Sequence, residues 1–242
     1  MEREMILFMV SVYDETDDYQ KMINSMKKVI QIDPKLNKDE QMLLSYCYKR
    51  LYTQIRNALT HIISTINAET ILGNKLRVEH LTQYKIKLMN EIENLCNEII
   101  GIIDDQLLPS AYDDYCIFSY EQMKAKFYEY ICRNSKELGI TNIVYKAKEC
   151  YEKVINYIDK ISTPDQPIYQ SFYLNYSTFL YEIMGQKIEA IELSNKIFDK
   201  CLEANDEIME QYDCIYSEST AVLQLLKDNA DKWTQELSFT NE

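Results

Sequence analysis

The chain has 242 residues, 46% of them hydrophobic, with only four glycines and four prolines. So few turn residues exclude all-β and α/β folds and leave an all-α one with a sizeable core. A formal net charge of −13 repels phosphate backbones, which excludes nucleic acid as the expected partner and makes any anion site a local basic patch.

Met5–Val12 is an apolar run, but Glu2, Arg3 and Glu4 precede it and Tyr13-Asp14-Glu15 follows. It lacks the positive lead and small-residue cleavage site of a secretory signal, and reads as a helix that faces a partner. Residues 3–15 and 19–32 give two short helices ended by Asp33-Pro34, after which Asn37 or Asp39 caps a long one. Leu44, Cys47, Leu51, Ile55, Ala58, Ile62 and Ile66 recur at spacings of three and four, a buried stripe over about 38–68 that Gly73-Asn74 breaks. Leu81, Tyr84, Leu88, Ile92, Leu95, Ile99 and Ile102 form a second stripe, closed before Pro109, and two such helices on a short loop pack antiparallel. Gly101, inside that pattern, is expected to mark a close approach. Further helices are expected at 115–134, 141–161, 167–184, 187–204 and 209–232, nine in all. With no solenoid period and no linker, they form a single domain over 1–242 with a short tail from about 234. No apolar run approaches the ~20 residues of a membrane span, so no membrane partner is expected.

Seven cysteines, at 47, 96, 116, 132, 150, 201 and 214, form an odd set without a CxxC. They read as buried free thiols in a reducing, cytoplasmic setting, where the Asn175-Tyr176-Ser177 sequon carries no weight. His61 and His80 are too few for a metal site, and neither a cofactor motif nor a catalytic set is present, so an enzyme is not expected.

Three constellations carry binding chemistry. Lys49 and Arg56, seven apart on the third helix, share a face turned away from the Leu44/Cys47/Leu51 stripe and can grip one dianion. A solvated pair is the plainer reading. Asn175 and Glu182 share a face of the seventh helix beside Leu174 and Thr178. In Tyr216–Thr234, Val222, Leu225, Leu226 and Asn229 fall at i, i+3, i+4 and i+7. A buried, unpaired amide costs about 1–3 kcal/mol, so Asn229 has either a core partner or a ligand. Amides on two helices suit the N–H and C=O groups of an extended peptide.

Tyr216–Thr234 closely resembles the last helix of the 14-3-3 proteins. Leu43-Leu44-Ser45 with Tyr48-Lys49 resembles the family's third-helix signature, with Tyr46, Cys47 and Arg50 as departures. Pro164–Ile168, Leu174-Asn175-Tyr176-Ser177 and Tyr181-Glu182-Ile183 resemble its seventh helix and entry loop, and Leu107-Leu108-Pro109 and Phe198-Asp199 match too. The resemblance implies nine antiparallel helices, a homodimer built by the first four, and a concave groove that clamps phosphoserine or phosphothreonine peptides. It matches Lys49 and Arg56 to basic phosphate ligands, Tyr130 to the phosphate-binding tyrosine, and Asn175 and Asn229 to the backbone-holding amides. Leu174, Val222 and Leu225 match the apolar wall, Glu182 a polar groove residue and Trp233 the groove-end tryptophan.

The departures bear on function. The family's third basic ligand precedes the tyrosine, and here that position is Glu129. Changing +1 to −1 beside a dianion costs on the order of a few kcal/mol, at least ~100-fold in affinity. Family acids three before and four after become Lys126 and Arg133, so the face reverses all three signs. Two geometries follow: a ladder of Lys126, Glu129 and Arg133 along the helix, or Glu129 paired with Lys49 or Arg56 and filling the anion site from within. On the second, Glu129→Arg strengthens phosphopeptide binding. At the dimer contacts the matching positions are Asp18, Lys21, Lys87 and Glu91, which turns the family's ion pairs into Asp18–Glu91 and Lys21–Lys87. Such a dimer rests on apolar contacts through Met5–Val12 (Val12 included) and Tyr84, and is weakened. Ala58 removes a dimer-breaking phosphosite that some members carry. The expected function is thus a phosphopeptide-binding adaptor with altered phosphate recognition. The alternative is a scaffold of the same fold that binds acidic or amphipathic segments without phosphate.

Overall fold

The long third helix begins at a reciprocal cap. Asn37 Oδ1 accepts the Glu40 N–H at 3.0 Å, and Glu40 Oε2 accepts the Asn37 N–H at 3.0 Å. Arg3, near the chain start, pairs with both Glu40 oxygens and ties the first helix to that cap. The computed structural model describes residues 2–134, 141–209 and 218–240. Among these it contains nine α-helices and no strand: α1 Glu2–Glu15, α2 Tyr19–Ile32, α3 Lys38–Ile71, α4 Lys75–Ile102, α5 Asp114–Asn134, α6 Thr141–Ile161, α7 Pro167–Phe179, α8 Lys187–Met209 and α9 Glu218–Thr240. Single π-helical turns extend α4 over Ile103–Leu107 and α7 over Leu180–Met184. No helix among the described residues is long and apolar enough to cross a membrane.

The chain divides into two compact units, Met1–Cys150 and Tyr151–Glu242. In the first, α1 packs on α2, α2 on α3, α3 on α4 and α4 on α5. The core takes Met22, Ile23 and Met26 from α2, Leu44, Cys47 and Tyr48 from α3, Ile92, Cys96 and Ile99 from α4, and Phe127 and Ile131 from α5. Gly73, at φ +75, reverses the chain between α3 and α4, with the Asn74 N–H returning to Glu69 O at 3.0 Å.

Two expectations fail in this unit. The α3 stripe holds for Leu44 and Cys47, then turns to Tyr48, Tyr52 and Leu59, while Leu51, Ile55, Ala58, Ile62 and Ile66 are half-buried. A helix of 34 residues spans about 51 Å and outruns the 14-residue α2 packed on it. Its tip leaves Ile71 and Leu72 largely exposed. Gly101 marks no close approach, because a Cβ there would meet nothing within 4 Å.

In the second unit α7 and α8 pack on α9 and on each other. Tyr151 stacks on Tyr176 and meets Phe179, each at 5.1 Å between centroids. Gly185, at φ +69, ends the α7 turn, with the Gln186 N–H bonded to Leu180 O at 2.9 Å. Helix α9 runs on to Thr240, so residues 234–240 are helix rather than tail. The start expected for it at 209 is still α8, and 210–217 lie outside the described residues. Six cysteines are buried free thiols, and burial pushes Cys47, Cys96 and Cys201 up to about 12; Cys214 lies outside the described residues.

Candidate functional site

In the first unit, Lys49 and Arg56 flank Tyr52 along α3. Tyr52 stacks on Tyr130 of α5 with centroids 3.8 Å apart and planes 7° apart. Phe127 meets the Tyr130 ring edge-on at 5.5 Å and Tyr48 at 6.0 Å, so an aromatic ladder fixes α5 against α3. Burial raises the pKa of both Tyr52 and Tyr130, which keeps their hydroxyls protonated as donors.

Glu129 is 1% exposed. Lys126 Nζ donates to its two carboxylate oxygens at 3.1 and 3.3 Å, and Arg133 Nε donates to Oε1 at 2.9 Å. The ladder along α5 is therefore the geometry found. Lys126 also sits over the Tyr130 ring, 5.7 Å from its centroid. Lys49 keeps an exposed side chain, yet surrounding protein displaces enough water to lower its pKa, and the like charge of Lys126 lowers it further. Arg56 and Arg133 both act electrostatically on the Tyr52 phenol. Lys126 and Arg133 thus hold one buried carboxylate, while Lys49 and Arg56 lie beside Lys126 and Tyr52. That is a local basic patch in a chain of net charge −13.

In the second unit, α9 divides its apolar residues between two faces. Leu223, Leu226, Ala230 and Trp233 are buried, whereas Val222 and Asn229 are half-buried and Leu225 is 50% exposed. Leu225 and Leu226, expected on one face, are therefore split. Asn229 makes no side-chain hydrogen bond among the described residues. Asn175, half-buried, donates through Nδ2 back to Ser171 O at 2.8 Å. Leu174 is half-buried and Glu182 exposed. Trp233 is 4% exposed and stacks on Tyr181 at 4.4 Å, and the Tyr181 hydroxyl donates to Glu236 at 2.6 Å. Trp233 is thus a packed anchor of α9.

A sequence model of the 14-3-3 protein family matches residues 9–234. The chain belongs to the 14-3-3 family. It is 30% identical over 238 residues to the 14-3-3-like protein GF14 epsilon of Arabidopsis thaliana, covering 98% of this chain and 92% of that one. It is 30% identical to 14-3-3 protein 9 of Solanum lycopersicum, over 98% and 89% of the two chains. It is 28% identical to 14-3-3 protein 3 of Entamoeba histolytica, over 97% and 96%. As a 14-3-3 protein it is a non-enzymatic adaptor that binds partner proteins.

Sequence reasoning had not singled out two side chains of this 14-3-3 chain. Tyr52 carries the stack under Tyr130, and its signal was its place three after Lys49 and four before Arg56, on their shared face. Tyr181 holds Trp233, and no short-range pattern links residues 52 apart in sequence. At the expected dimer positions, Lys21 pairs with Asp18 at 2.7 Å and Lys87 with Glu91 at 3.9 Å, each within its own helix. Val12 is half-buried, and Tyr84 is 46% exposed.

Proposed function

We propose that this 14-3-3 protein receives phosphorylated serine or threonine side chains of its partners at Lys49, Arg56 and Tyr130, with recognition altered by Glu129. The observation that carries this reading is the double pairing of Glu129 within α5, which spends its charge on Lys126 and Arg133. Lys49 and Arg56 then supply a point charge and a two-pronged fork for a dianion, and the protonated Tyr130 hydroxyl a third donor. The second unit adds its own contribution: Asn175 and Asn229 hold peptide backbone, Leu174, Val222 and Leu225 offer apolar contact, and Glu182 a polar one. Asn229, half-buried and without a side-chain partner among the described residues, supports a ligand rather than a core role. The protein acts as a weakened homodimer in the cytoplasm. Support comes from the Met5 and Phe8 side chains, each 61% exposed on α1, and from the buried free thiols.

The test is a titration of one serine-containing peptide with and without its phosphate. Tighter binding of the phosphorylated form, weakening as salt rises, is expected. Equal affinity overturns the reading and leaves the scaffold that needs no phosphate.

A further inference from the structure

We infer that Lys126 is itself a phosphate ligand, the third basic group of the set that Lys49 and Arg56 begin. The inference rests on the phosphopeptide reading above and names a specificity-determining residue for it. Lys126 lies four residues before Tyr130 and three before Glu129, so all three share one face of α5. Its ammonium is above the Tyr130 ring rather than in bulk solvent, 5.7 Å from the centroid, beside the phenol that donates to the phosphate. Its side chain is 28% exposed, so a ligand reaches it.

The chemistry leaves Lys126 capacity to bind. An ammonium has three donors, and the two Glu129 contacts, at 3.1 and 3.3 Å, are long for a charge-assisted bond. Arg133 holds the same carboxylate more closely, at 2.9 Å, so Glu129 keeps a cationic partner when Lys126 turns toward a ligand. Lys126 also repels Lys49, whose pKa is lowered first by loss of water around it and further by this like charge. Two like charges held in mutual range are relieved by a dianion that both contact. The basic group missing at position 129 is thereby supplied one helical turn earlier on the same face. A lysine there acts as a point charge without the planar fork of an arginine, so it recognises charge more than geometry.

A double-mutant cycle on the full chain separates this role from mere neutralisation of Glu129. The variants are Lys126→Met, Glu129→Gln and both together, each titrated with the phosphorylated and the unphosphorylated peptide. Thermal melting confirms that each is folded. The expected result is that Lys126→Met weakens phosphopeptide binding by ~10-fold or more while Glu129→Gln strengthens it. The double variant stays ~10-fold weaker than Glu129→Gln, and none of the three changes affinity for the unphosphorylated peptide. Lys126→Arg restores binding. A double variant as tight as Glu129→Gln overturns the inference, because Lys126 would then act only through Glu129. A wild-type chain that binds both peptides equally overturns the phosphopeptide function itself, and Lys126 with it. Wild-type phosphate preference with no loss in the double variant overturns Lys126 alone.

Discussion

Tyr52 and Tyr130 lie face to face, 3.8 Å between centroids and 7° from parallel, and this stack joins α3 to α5 where the basic residues gather. Truncating a buried aromatic ring to alanine costs about 3–5 kcal/mol. Tyr52→Ala is therefore expected to lower the melting temperature by roughly 6 °C or more, since each kcal/mol is worth about 2–4 °C in a chain of this size. Tyr52→Phe keeps the ring and is expected to melt within about 3 °C of the wild type. Thermal melts of the two variants check this. Equal loss in both would show that the hydroxyl, rather than the stack, matters.

The position of Glu129 changes what a charge reversal there does. Glu129→Arg would bury a cation between Lys126 and Arg133, and breaking a buried, paired charge costs about 3–5 kcal/mol. The single substitution is thus expected to destabilise the fold rather than to strengthen phosphopeptide binding. Reversing the whole ladder, with Lys126→Glu, Glu129→Arg and Arg133→Glu together, keeps opposite charges at i, i+3 and i, i+4. The triple variant is expected to melt near the wild type and to bind phosphopeptide at least as tightly. Melting and titration of both variants decide it. A stable, tight-binding single variant would mean that Glu129 is not committed to the ladder.

The contrast at Glu129 shows what was legible in the sequence. Helix positions followed from periodicity and from stop signals such as Asp33-Pro34 and Gly73, because those act locally. The sign reversal across Lys126, Glu129 and Arg133 was visible too, being a matter of spacing on one helix. Which way Glu129 turned was not visible, because two pairings of comparable energy competed and only packing around a 1%-exposed carboxylate decides between them. The same limit applied to α9. Leu225 and Leu226 are both apolar, and 100° of rotation between neighbours places one in the core and the other outside. Trp233 needed knowledge of Tyr181, a contact between helices that no pattern within α9 encodes.

Lys49 gives binding a pH dependence of predictable sign. Its folded pKa lies below 10.5, through the water that surrounding protein displaces and through Lys126. The charged form is therefore disfavoured in the free protein, a penalty present below the folded pKa that fades as pH rises from there to 10.5. A bound phosphate restores the ammonium and raises that pKa. Between the free and bound values the complex takes up protons, so affinity falls as pH rises. The phosphate's own titration near pH ~6 does not overlap this alkaline range. Calorimetric titration in two alkaline buffers of different ionisation enthalpy is expected to show proton uptake, abolished in Lys49→Met. Equal uptake in that variant would assign the proton to another group.

The proposed dimer joins an apolar contact to an unfavourable charge arrangement. Phe8, 61% exposed on α1, is expected to bury against the second copy, so Phe8→Glu is expected to give the monomer mass of 28.7 kDa by light scattering. In that dimer Asp18 meets the partner's Glu91 and Lys21 meets the partner's Lys87. Each charge already has an opposite neighbour on its own helix, Asp18 with Lys21 and Lys87 with Glu91, which softens the repulsion. Exposed pairs are worth about 0–1 kcal/mol each, so the penalty is small and screened by salt. Wild-type dimerisation is therefore expected to tighten as salt is raised. Exchanging the α4 charges, Lys87→Glu with Glu91→Lys, makes both contacts attractive and leaves the Asp18 cap of α2 untouched. It also puts the acid before the base at i, i+4, the better order within a helix. This double variant is expected to dimerise more tightly at low salt and to weaken as salt rises, the reverse of the wild type. Sedimentation or light scattering across a salt series reads the sign directly. An unchanged salt dependence would place these four residues outside the dimer contact.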